Sequence, residues 1–196
     1  HLDILKEMLD NSTNADNSKI KTTIDTWYEN NMTSYTSQLE DTVFCNDRSY
    51  DVSKSGWNKD YSNTNYLYFN SYQRRSSYKP TLVCTNANDK FTVEKSNGNG
   101  VLDYPVGLLT ADEIMYDGAA TSSNNSFYLY NTQTVWALSP FGFSRSVAGG
   151  FALYSTGGID WLGVGSSFGV RPSVSLQPGI AITGGSGTAT DPFAIS

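Results

Sequence analysis

Apolar side chains at Ile20, Ile24, Trp27, Tyr28 and Met32 recur every three or four residues, the spacing of one buried helix face. Asp16, Asn17 or Ser18 can cap the first turn of that helix, and Asn30-Asn31 ends it. A shorter helical pattern (Leu2, Leu5, Met8, Leu9) and a polar run from Asn11 to Asn17 precede it. Residues 41–80 read as loop rich in Tyr, Ser and Asn, with a short extended piece through Tyr66, Tyr68 and Tyr72. Lys90 to Lys95 alternates polar and apolar, SNGNG supplies two Asn-Gly turns and Val101 to Val106 returns, which predicts a hairpin. Thr110 and Glu113 form a capping box ahead of Ile114 and Met115, which predicts a short helix. The last third alternates with the two-residue period of strands. Its predicted strands are Tyr128 to Tyr130, Val135 to Leu138, a hairpin of Phe151 to Tyr154 with Ile159 to Val164, then Val170 to Leu176, Gly179 to Ile182 and Phe193 to Ile195. Helix, long irregular middle, short helix and then strands amount to an α+β fold with no internal repeat.

The 196 residues suit one domain, taken as 18–196, with 1–17 an N-terminal extension or a segment introduced for expression. Only 16% of residues are charged while 13% are aromatic, the make-up of an exported β-rich protein or an interaction surface rather than of a disordered chain. With a net charge of −6 and Arg74-Arg75 the sole basic pair, there is no basic face for nucleic acid. No stretch approaches the roughly 18 consecutive apolar residues of a membrane span. The start at His1 rather than Met suggests a processed or trimmed chain, and any export signal or anchor would lie upstream of it.

The chain is poor in reactive groups. Its single histidine is His1, so no Ser-His-Asp or Cys-His set exists, and no His/Cys cluster is spaced for zinc. Asp112-Glu113 and Asp103 are the candidate acid–base carboxylates; the first two are better explained as first-turn helix charges and the third as a solvated turn residue. The glycine pairs 149–150, 157–158 and 184–185 lie in predicted hairpins and lack the strand–loop–helix setting of a phosphate cradle. No catalytic residue, metal or cofactor is assigned. Cys45 and Cys84 are too far apart for a redox or zinc motif and are either two reduced core thiols or one disulfide; the exported character of the rest favours the disulfide.

Three passages carry a resemblance. LLTADEIMYDGA (Leu108 to Ala119) looks like the second-helix signature of formylglycine-generating-enzyme-type, C-type-lectin-like domains. GVRPSVSL (Gly169 to Leu176) is similar to the penultimate strand of that fold, and the closing GGSGTATDPFAIS resembles the ends of uncharacterised Gram-positive surface domains, as do IDTWYENNM, FCNDRS and WALSP. The resemblance implies two helices flanking small antiparallel sheets with much irregular loop. It also implies a location outside the cell or on the bacterial surface, and a protein or glycan ligand on another cell or host surface. Against the oxidase branch, whose active-site cysteines lie late in the chain, no cysteine follows Cys84. The calcium-binding triplets of sugar-binding C-type lectins are missing as well. In the resembling domains the counterpart of Arg171 is structural. Their displayed face is C-terminal, and Phe141, Phe143, Arg145, Tyr154, Asp160 and Trp161, set among Gly and Ser, have the composition of a binding hot spot. The expected function is non-catalytic ligand binding or display. A pilin-like appendage subunit is the alternative, and a residual oxidase ranks behind both. One feature departs from the family: no strand hairpin is seen before the first helix, so either it was trimmed or the short helical start replaces it, and if it is missing the edge beside Phe193 to Ile195 is open for pairing.

Overall fold

The computed structural model describes residues 17–51, 66–144, 147–188 and 190–195. The N-terminal apolar pattern through Leu9 and the candidate ligand residue Arg145 lie outside these described residues. The first helix, α1 (Lys19–Asn31), begins where the sequence places it: the Ser18 hydroxyl accepts from the Lys21 amide at 3.1 Å. Short strands β1 (Leu39–Glu40) and β2 (Phe44–Cys45) follow, then β3 (Tyr66–Tyr68) and helix α2 (Asn70–Ser77). After β4 (Lys90–Phe91) comes α3 (Ala111–Tyr116), with the complete Thr110–Glu113 capping box. The rest is β5 (Val135–Ser144), β6 (Val147–Leu153), β7 (Ile159–Gly163), β8 (Ser175–Leu176), β9 (Ile182–Gly184) and β10 (Ala194–Ile195). The α+β class thus holds, with small antiparallel sheets.

One four-stranded antiparallel sheet, in the order β3-β5-β6-β7, organises the molecule. Alternation along its strands sends side chains to two buried faces. Val135, Ala137, Phe151, Leu153 and Ile159 pack with Ile114 and Met115 of α3 on one face. On the other, Trp136 and Ala152 pack with Ile24 and Tyr28 of α1, together with Val106 and Leu108. Phe151, Leu153 and Ile159 are at most 1% exposed, and each such burial is worth about 1.5–3 kcal/mol. Three two-stranded pairs, β1-β8, β2-β4 and β9-β10, lie outside this sheet.

Several expectations are corrected. Lys90–Phe91 pairs with Phe44–Cys45 and not with 101–106. The returning chain gives only isolated bonds, Asn99 N to Lys90 O at 2.8 Å and Leu102 N to Thr92 O at 3.0 Å. The amides of Val93 and Glu94 are instead taken by the Asp41 carboxylate, each at 2.8 Å, so the predicted ladder cannot form. Tyr128 to Tyr130 is a turn, and of Val170 to Leu176 only the last two residues form a strand. Tyr72 stands on α2, a helix whose sequence, NSYQRRSS, carries too few apolar residues to show a helical period.

Cys45 and Cys84 are joined in a disulfide. Closing a loop of this length stabilises by about 3–4 kcal/mol in the chain-entropy model. Among the described residues no helix is long and apolar enough to cross a membrane.

Candidate functional site

Strand β7 forms one edge of the main sheet, and four of the six predicted ligand residues gather there. Trp161 stacks on Phe141 with ring centroids 5.1 Å apart and planes 18° apart. Phe141 meets Tyr68, Tyr72 and Phe151 edge-on at 5.6, 5.2 and 5.3 Å. Phe141 is 8% exposed, so its expected place on a binding surface is corrected: β5 is an inner strand and α2 lies over it, leaving Phe141 as backing for Trp161. Trp161 is itself 38% exposed and has Val164 and Phe168 as exposed apolar neighbours along the chain. The stack is closely fitted to Gly149, where a Cβ would sit 3.0 Å from the Trp161 indole and 3.3 Å from the Phe141 ring.

The polar members sit along the edge. Asp160 pairs with Arg75 of α2 at 2.8 Å, and its other oxygen accepts from the Trp161 amide at 2.9 Å. The Tyr154 hydroxyl donates to the Trp161 carbonyl at 2.9 Å, and Arg75 Nε donates to the Ile159 carbonyl at 3.3 Å. Ile159 also gives its amide to Ala120, at 2.9 Å. The outward backbone groups of Ile159 and Trp161 therefore already have partners. Burial pushes the Tyr154 phenol up, the Asp160 charge adds to the rise and Arg75 opposes it. Phe143 is half-buried on β5, in register with Ala148 and Leu67, away from the Trp161 stack.

A second feature was not foreseen. An open cleft of about 330 Å³ lies between α3 and the segment that runs from Pro80 to the disulfide. In its floor Arg74 makes a two-pronged pair with Asp112 at 2.7 and 2.9 Å, and its remaining Nη reaches Asp47 at 2.7 Å. Burial alone would lower the Arg74 pKa, but the bonds and charges of Asp112 and Asp47 outweigh it and hold the guanidinium charged. Asp112 also accepts from the Thr81 amide at 3.0 Å, and Glu113 is tied to Thr110. Asp47 and Asp112 are thus committed to holding structure, while Glu113 is tied through one of its oxygens. The signal for Arg74 and Arg75 was their isolation: two adjacent arginines with no acid nearby in the sequence take partners from afar. Arg171 donates to the Leu129 carbonyl at 2.8 Å, a structural contact, and burial lowers its pKa. Comparison of the chain with models of known protein families, with curated proteins and with solved structures yields no match in any of the three.

Proposed function

We propose that this chain is a non-catalytic domain of a bacterial or phage surface protein that binds or displays a protein or glycan ligand outside the cell, on a C-type-lectin-like plan. The observation that carries the reading is Trp161, a large aromatic seated on Phe141 and still 38% open to solvent, with the Asp160–Arg75 pair beside it. A rigid, half-exposed aromatic flanked by hydrogen-bonding groups provides contact area at low entropic cost. The non-catalytic part is supported by the inventory: both cysteines are used in the disulfide, and the lone histidine is at position 1. Binding to glycan and protein arrays, compared between the native chain and an Asp160→Ala/Trp161→Ala double variant of matched circular dichroism, tests it. Loss of binding in the variant supports the face, and undiminished binding removes it.

One observation favours a second reading, a structural subunit of a surface appendage. The β9-β10 ribbon is exposed along its whole length, with Ile182 at 59% and Phe193 at 48%, and pairs with no other described strand. A two-stranded ribbon is marginal alone in water and gains from an added strand. Concentration-dependent polymers in sedimentation, abolished by Ile182→Lys, would favour this reading over the first.

A further inference from the structure

Between α2 and the 3-10 turn at Ala87–Asp89, residues 79–86 run without turn or bend, and their main-chain to main-chain hydrogen bonds lie only at the two ends, from Lys79 N to Arg74 O and from Asp89 N to Asn86 O. The amides of this segment alternate. Thr81 N–H goes to the Asp112 carboxylate at 3.0 Å, and Val83 N–H to the Thr81 hydroxyl at 3.1 Å. Leu82 and Cys84, the residues between and after them, give their amides to no partner within the described protein. In an extended chain, alternate residues turn their N–H and C=O to the same side. One side of this segment is therefore fastened to its own protein; the other is fastened only at its ends, where the Pro80 carbonyl accepts from the Tyr116 hydroxyl and the Asn86 carbonyl from the Asp89 amide, and between them Leu82 and Cys84 present a short free row. The row is held in place at both ends, by Asp112 at Thr81 and by the disulfide at Cys84. Leu82 is 66% exposed and Val83 69%, and both line the cleft, with half-open Val43 across from them. Exposed apolar side chains beside unsatisfied main chain are what strand addition uses: the backbone gives affinity and the flanking pockets give selectivity.

We infer that residues 81–85 form a strand-capture site for an extended peptide segment of another protein, one that alternates apolar with basic side chains. This site is separate from the Trp161 face. Charge selects the occupant. Glu113 turns one carboxylate oxygen to Thr110, while its other oxygen has no protein partner and the residue lines the cleft. Lys90 and Arg74 also line the cleft, but Arg74 is neutralised by Asp47 and Asp112, and with Glu113 the three carboxylates leave the lining one net negative charge, on a chain that carries −6 as a whole. A basic side chain reaching into the cleft would pair with Glu113, while its apolar neighbours pack on Leu82, Val83 and Val43.

The probe is a capped eight-residue peptide of alternating valine and lysine, with an alternating valine–glutamate peptide as comparison. Titration followed by amide hydrogen exchange should slow the Leu82 and Cys84 amides and leave those of Thr81 and Val83 unchanged. Leu82→Pro removes one free N–H at an exposed position that bonds nothing else and should weaken binding at least about fivefold, the scale of one lost hydrogen bond. Glu113→Gln keeps the capping box and should erase most of the preference for lysine over glutamate. A lysine peptide N-methylated at alternate residues should not bind, and this arm is independent of how Leu82→Pro folds. Equal binding by the N-methylated peptide, exchange protection located elsewhere, or no saturable binding would overturn the proposal. So would self-association of the native chain that Leu82→Pro abolishes, because the occupant would then be a second copy.

Discussion

The indole of Trp161 lies nearly parallel to the ring of Phe141, and Gly149 of the adjoining strand passes so close to both that a Cβ there would press on the two rings. The two rings differ in what they support. Phe141 is buried among four aromatic neighbours, and Phe141→Ala should cost about 3–5 kcal/mol. Trp161→Ala should cost only about 1–2 kcal/mol, since over a third of that side chain is already in water. Urea denaturation of both variants measures the difference; equal costs would contradict the description of Phe141 as backing.

The edge of β7 is protected by side chains rather than by another strand. Asp160 occupies the Trp161 amide and Tyr154 its carbonyl. A Tyr154→Phe/Asp160→Ala double variant should free both groups and raise concentration-dependent association, read by sedimentation velocity. An unchanged monomer fraction at high concentration would show that the apolar surface, and not the free backbone, governs association.

Arg74 is the hub between α2, the loop at Asp47 and the first turn of α3. Arg74→Ala would strand the Asp112 charge, of which only 5% is exposed, and should destabilise by about 3–5 kcal/mol. Arg74→Ala combined with Asp112→Asn should recover part of that loss, because no charge is then left buried. A double variant no more stable than Arg74→Ala alone would argue against the stranded-charge explanation.

The Tyr154 phenol is raised above its ordinary value near 10 in the folded chain, chiefly by burial. A phenol whose folded pKa exceeds its unfolded pKa contributes stability that is whole below the unfolded value and is lost as pH climbs through the folded one. Between those two values native stability should therefore fall more steeply with pH in the native sequence than in Tyr154→Phe. Denaturant midpoints taken from pH 9 upward give the comparison, and parallel curves would assign the effect to other tyrosines.

The sequence was most legible where one physical demand dominated. Ile24 and Tyr28 at helical spacing, Thr110 with Glu113, and the Phe151/Leu153 alternation each encode a local element with one buried side, and each is found as read. It was least legible where backbone groups are satisfied by distant side chains. Asp41 captures the amides that would have built the Lys90 hairpin, and nothing near Lys90 announces it. Phe141 and Trp161, grouped in the sequence reading, do meet in the fold, yet strand alternation alone could not say that α2 would cover Phe141 while Trp161 stayed at the edge. The cleft escaped because Arg74, Asp47 and Asp112 come from three separate stretches of chain.

The central sheet, clothed on both faces, imposes an order on biosynthesis. Helix α1 is made early, yet Trp136 and Ala152, which shelter Ile24 and Tyr28, belong to the last third of the chain. Until those strands emerge, the amphipathic N-terminal half has nothing to lie against and is exposed to mispairing and proteases. Cys45 and Cys84 are both available long before that point. Their bond closes the stretch from β2 to the end of the cleft segment before the last third exists, so under oxidising conditions that stretch would be constrained while α1 still waits for the strands that cover it.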